Sequence, residues 1–222
     1  MKLRSLAHAL RPHKTVPVTP WTAQRRWDLS FARVLILFLG LAIFGLGDSL
    51  LIQGNIGNAP WTVLAEGVTL KSDLSIGWAT FIISVFVLLL WIPLRERPGF
   101  GTLSNIVLIA LFIQIGTMIF PEVNSIPAGV TYDLFGIALV GFGSALYITC
   151  GLGPGPRDGA MTGIHQRSGI RVGRVRMGIE ITVLAAGWSL GGTVGIGTAL
   201  FALLIGQSVA VFLGLVARLT SK

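Results

Sequence analysis

At Cys150 a long apolar run meets Gly151-Leu152-Gly153-Pro154-Gly155-Pro156-Arg157-Asp158-Gly159, a stretch that no continuous helix can cross. Glycine tolerates positive φ and close backbone approach, whereas proline fixes φ and has no N–H to donate. The incoming helix must stop at about Cys150. Pro156 then suits the first position of a new helix, with Arg157 and Asp158 in its first turn. A fainter copy of the break, Asn55-Ile56-Gly57-Asn58-Ala59-Pro60-Trp61, stands 96 residues earlier.

The surroundings of both breaks are too apolar for a water-facing surface. The chain is 53% hydrophobic and 12% charged, against about 25% charged in soluble domains. A formal net charge of +8 raises nucleic acid as a partner. The basic residues flank apolar runs instead of interleaving with aromatics, which fits membrane orientation and argues against nucleic-acid binding. The one cysteine, Cys150, excludes an intrachain disulfide, and His8, His13 and His165 are too scattered for metal-ligand spacing, so no metal or cofactor is expected. No apolar core precedes Phe31, so a cleavable signal is not expected. Residues 3–10 read either as a short amphipathic helix on anionic lipid or as a basic tail.

Six apolar runs read as spans, 31–52, 76–94, 102–120, 132–150, 176–190 and 198–217, the first of them long enough for a hydrocarbon core of about 30 Å. Two further helices, 60–70 and 156–166, follow the breaks and are too short to cross. The predicted architecture is an all-α integral membrane protein of six transmembrane helices. Its segments are a basic cytoplasmic stretch (1–30), a first membrane repeat (31–120), an external linker (121–131), a second repeat (132–217) and a cytoplasmic tail (218–222). With the N-terminus inside, sixteen Lys and Arg fall on cytoplasmic segments and only Lys71 outside, a strong positive-inside bias. The expected location is a bacterial cytoplasmic membrane with both termini cytoplasmic.

Sliding the chain over itself by 96 residues matches 40–116 with 136–212 without a gap, and 20 of the 77 pairs are identical, where chance gives roughly six. Gly57/Gly153, Pro60/Pro156 and Gly99-Phe100-Gly101-Thr102/Gly195-Ile196-Gly197-Thr198 are among the matches. An odd number of spans per repeat predicts that the second copy is inverted. Inverted repeats with interrupted helices at matching positions point to a secondary transporter whose site lies between them near the midplane. A bundle duplicated only for stability is the structural alternative.

Non-helical backbone at membrane depth occurs where protein buries it or water reaches it, so both breaks are candidate cavity linings. Each feeds a helix whose first turn offers free N–H groups and partial positive charge. The helix starts at Thr102 and Thr198 offer the same with a hydroxyl added. Asp48, inside the first span, is either a cation ligand or proton carrier, or a hydrated group near the interface. Gln53, Asn55 and Asn58 cluster at the first break. Arg157, beside Asp158 at the second, can hold a carboxylate or phosphate bidentately, or else pair with a headgroup or Asp158. Gln114 and Gln207 lie mid-span, where an amide binds substrate or knits helices. Glu180 reads best as the i, i+4 partner of Arg176. These ten residues, Asp48 to Gln207 with Glu180 left aside, make up the expected substrate site. No nucleophile–base or metal constellation suggests an enzyme acting on lipid. A non-transporting accessory or signalling component remains the alternative, and glycine-rich faces suit homodimerisation.

The glycine-proline-Arg-Asp run at 151–159, followed by Gly191-Gly192-Thr193-Val194-Gly195-Ile196-Gly197-Thr198, resembles the YczE/YyaS/YitT group of bacterial membrane proteins, most closely its YczE-like branch. The resemblance covers most of 31–215. Many members carry proline after the glycine of the sixth span, where this chain has Gln207 after Gly206. The resemblance implies a transporter, with a small amine, an amino acid or a pyridoxal-type vitamer as substrate. It supplies no catalytic residues.

Overall fold

The computed structural model describes residues 15–220, so the proposed helix at 3–10 lies outside the described residues. Among those residues there are nine helices and no strand: α1 (Phe31–Gly54), α2 (Pro60–Thr69), α3 (Ile76–Leu89), α4 (Trp91–Leu94), α5 (Phe100–Ile119), α6 (Ile126–Thr149), α7 (Pro156–Ser168), α8 (Val172–Ser189) and α9 (Ile196–Thr220). Pro60 and Pro156 open α2 and α7, where their missing N–H costs no intrahelical bond. Five segments are long and apolar enough to cross a bilayer: α1, α3 with α4, α5, α6 and α9. The fifth expected span forms as α8, but Arg174, Arg176 and Glu180 occupy its first half, and it falls outside that set. The fourth begins at Ile126, six residues before the expected Tyr132, which shortens the linker and moves Asp133 from the edge of the span to its eighth residue.

The bundle is built on α1 against α6. Gly40 meets the backbone of Gly143, Gly47 that of Gly136, and Gly54 that of Gly129, so the two helices run antiparallel at close range. Small residues are what permit such approach in lipid, where dispersion and not water expulsion drives helix association. In sequence, Gly136 and Gly143 are the 96-residue mates of Gly40 and Gly47, with partners exchanged. α5 packs on α1 as α9 packs on α6. The flanks differ. α3 packs along α5, where Gly77 N–H donates to Gln114 Oε1 at 3.1 Å. α8 instead leans on α2 and α7, and its Gly173, the mate of Gly77, has open space around it. Large apolar side chains such as Trp78, Phe86, Met118, Phe135 and Leu203 point outward, as a lipid-facing surface requires.

A junction between the two breaks

The two breaks share one backbone design. Asn55 and Gly151 take left-handed conformations (φ 54° and 67°), and Gly57 and Gly153 sit at φ 120° and 117°, accessible in practice only to glycine. Gly197 N–H donates to Ile56 O at 2.9 Å, and its mate Gly101 N–H donates to Leu152 O at 2.9 Å. Thr198 Oγ1 accepts from Gly195 N–H at 3.3 Å, and Thr102 Oγ1 accepts from Gly99 N–H at 3.1 Å. Each break is thereby docked onto the start of the last helix of the other half.

Beyond these docking contacts, polar side chains from α1, α2, α6 and α7 come together. The guanidinium carbon of Arg157 lies 4.8 Å from the centroid of the Trp61 ring, an arrangement worth about 0.5–2 kcal/mol depending on solvation. Thr62, buried beside Trp61, donates to both carboxylate oxygens of Asp48 at 3.0 and 3.1 Å. Asp48 is itself buried and close enough to Arg157 for their charges to attract. On the other side, Tyr147 Oη donates to Asp158 Oδ2 at 3.1 Å. Asp158 also senses Arg157, Arg176 and Glu180. Although Asp158 shows surface to a recess, protein surrounds it deeply enough for burial to raise its carboxyl above the usual range; the Tyr147 hydrogen bond and both guanidinium groups oppose that shift. The recess holds about 380 Å³ between Tyr147, Gly153, Pro154, Asp158 and the N-terminal residues Val16 and Arg26. Residues 21–26 strap this second break, through Ala23 N–H to Cys150 O (2.9 Å), Trp21 Nε1 to Thr149 Oγ1 (3.1 Å) and Thr22 Oγ1 to Thr149 O (2.9 Å).

The acids and hydroxyls at the junction are exchanged between the halves. Asp48 on α1 pairs with Thr62 on α2, while their mates are Ser144 on α6 and Asp158 on α7. Each half thus contributes one carboxylate from opposite partners of an equivalent helix pair. Two acids face Arg157, and the Arg176–Glu180 ion pair, 2.9 Å, stands beside them on α8. Such a centre can hold a ligand carrying both a cationic and an anionic group.

Of the ten residues singled out in the sequence, three meet here: Asp48, Arg157 and Asp158. The others are engaged elsewhere. Gln53 Nε2 ties the end of α1 to α5 through the carbonyls of Thr117 and Phe120. Asn55 caps α1. Asn58 Nδ2 donates to Glu66 Oε2 at 2.8 Å, and Thr193 completes that cluster with its N–H (2.8 Å) and hydroxyl (2.6 Å). Thr102 donates to Pro154 O at 2.8 Å and locks the second break, while Thr198 lies against Gly57. Gln114 caps α3, and Gln207 is exposed on α9. Sequence reasoning missed Tyr147, Glu66 and Asp133, and gave Trp61 and Thr62 no role of their own. A glutamate inside an apolar ten-residue helix was a readable signal; the pairing of Trp61 with Arg157 was not. The Arg176–Glu180 pair forms as expected.

Residues 31–214 match the model of a family of unknown function, DUF6198. An uncharacterized protein of Haemophilus influenzae is 45% identical over 206 residues, covering 93% of this chain and 94% of that protein. The uncharacterized membrane protein YczE of Bacillus subtilis is 36% identical over 82% of each chain. The uncharacterized protein YyaS of the same organism is 27% identical, covering 81% of this chain and 92% of that one. No solved structure matches.

Proposed function

The chain belongs to this family, DUF6198, as a multi-pass membrane protein of the YczE-like kind, and from its polar junction we propose that it is a secondary transporter of a small molecule. The observation that carries the reading is that the first turns of both short helices meet at one place, Arg157 over Trp61, with the buried Asp48 beside them. Buried charge inside a membrane bundle is costly and marks ion or substrate pathways.

On this reading α8 is the fifth of six spans, entering the cytoplasmic interface with its charged first turns, and the two halves are inverted repeats. The repeat in sequence, the antiparallel α1–α6 crossing and the matched hydrogen bonds at 56/197 and 152/101 support inversion. The basic-residue count favours both termini in the cytoplasm of a bacterium. The substrate is a small amine, an amino acid or a pyridoxal-type vitamer: Asp48 and Asp158 suit an ammonium group, Arg157 a carboxylate or phosphate, and the Trp61 face a flat ring. No chemical step is assigned. A binding and liposome-flux screen of purified protein tests the proposal. A ligand should emerge whose affinity falls at least tenfold in both Asp48→Asn and Arg157→Ala; a ligand indifferent to both substitutions removes the site.

A second reading, a membrane component acting by docking, rests on the open flank. Gly173, Gly178 and Gly206 have nothing within 4 Å of a Cβ position, and Gln207 is exposed mid-helix. A second copy is the partner this face suits. Failure of the flux screen together with a dimer that dissociates on Gln207→Leu would favour it.

A further inference from the structure

Asp133 lies outside the junction. It stands eight residues into α6, fully buried, and neither carboxylate oxygen has a hydrogen-bond partner among the described residues. Its Oδ1 faces Gly54 at the end of α1, and its Oδ2 faces Gly197 at the start of α9. A Cβ added to Gly197 would collide with that oxygen and with the carbonyl oxygen of Gly57 together. The side chain is therefore aimed into the first break, at the N-terminus of α9. Its mate in the other half is Leu37, fully buried in the apolar cluster with Leu41, Cys150 and Leu152.

An ionised carboxylate without hydrogen bonds or counter-ion is not sustained in an apolar interior. No charge on the packed elements supplies one. α1 brings Asp48, about two turns away toward the bundle centre, and Arg33 at its far end. α9 brings only Arg218, at its opposite end. The break contributes neutral Asn55 and Asn58, the linker Glu122, and Glu66 of α2 is held by Asn58 and Thr193. A proton satisfies both Asp133 and the break: carried on Oδ2, it lets the carboxyl donate to the Gly57 carbonyl after a small shift.

We propose that Asp133 is a proton-binding site that pins the first break to α9. Loss of the proton places a charge against Gly57 and Gly197 and releases that contact. On the transporter reading, on which this use rests, Asp133 is the coupling site, separate from the substrate junction.

The test is infrared difference spectroscopy of the full-length protein in lipid bilayers with no substrate present, stepped to alkaline buffer from a mildly acidic one in which exposed carboxyls are already ionised. A protonated-carboxyl C=O band should disappear on the step, survive in the Asp48→Asn, Asp158→Asn double variant, and be lost from Asp133→Asn. Should Asp133→Asn fail to fold, the double variant decides: a persisting band that shifts on 13C-aspartate labelling supports the proposal, and loss of the band overturns it. An unchanged band in Asp133→Asn also overturns it. Neither result depends on whether the protein transports.

Discussion

The two breaks are the same loop carrying different chemistry. Backbone dihedrals at 55/151 and 57/153 agree closely, and each loop accepts the matching N–H from the helix that docks on it. The side chains around them diverge. Around the second break, Leu37 and Leu41 pack on Cys150 and Leu152, and the N-terminal strap covers the outside. Around the first, Asp133 occupies the place of Leu37, and Asn58, Glu66 and Thr193 form a polar clamp. At the junction the difference reverses, because the second break supplies Arg157 and Asp158 where the first supplies Trp61 and Thr62. Shared glycines set where the chain must turn. On the proposed reading the unshared residues divide the labour, one break binding a proton and the other contributing the charged half of a substrate site.

Exchanging the two environments gives the largest expected effect. Leu37→Asp places an unpaired carboxylate in the apolar cluster and should cost roughly 3–5 kcal/mol, seen as loss of folded protein in a detergent melt. Asp133→Asn removes the corresponding problem from the first break, since an amide can donate to Gly57 O, and should melt at or above the wild type. Next come the docking glycines. Gly197→Ala forces a Cβ against Asp133 and Gly57 O and should cost about 1–3 kcal/mol. Gly101→Ala has its nearest neighbour, Leu152, at 3.1 Å and should cost less; equal losses would mean that the two docks do not differ as described. Trp61→Ala, which strips the face under Arg157, should lower the melting temperature by the equivalent of about 1–2 kcal/mol, and by less when Arg157→Ala is already present. The smallest contrast lies in the cap hydroxyls. Thr102→Val loses bonds to both Pro154 O and Gly99 N–H, whereas Thr198→Val loses the one to Gly195 N–H. The former should be worse by about 1 kcal/mol.

Elements set by local chemistry were legible in the chain. Pro60 and Pro156 marked helix starts and the glycines marked the turns, so the observed boundaries agree closely at both breaks. Side-chain direction was not legible. In a helix whose outer face meets lipid, apolar residues occur all round and the 3.6-residue period that separates core from surface fades. That is why Gln207, placed inward from the sequence, lies exposed, and why Gln53 and Gln114 serve as ties between helices. Asp133 was missed for a related reason. The span was expected to start at Tyr132, which would leave an acid at a hydrated end, whereas α6 starts at Ile126 and carries it inside. Tyr147 and Asp158 are eleven residues apart, separated by the break itself, so their hydrogen bond exists only because the loop folds back.

The proposed transporter reading rests on the second half being an inverted copy of the first, and Ser72 and Ser168 probe that arrangement. They are sequence mates at or just beyond the ends of α2 and α7, both exposed, and each hydroxyl donates to the carbonyl four residues back at 2.7 Å. In a Cys150→Ser background, Ser72→Cys and Ser168→Cys are each labelled with a membrane-impermeant maleimide, in intact cells and in inside-out vesicles. With inverted halves, the Ser72→Cys protein reacts in cells and the Ser168→Cys protein only in vesicles. Labelling of both from the same side would rule inversion out.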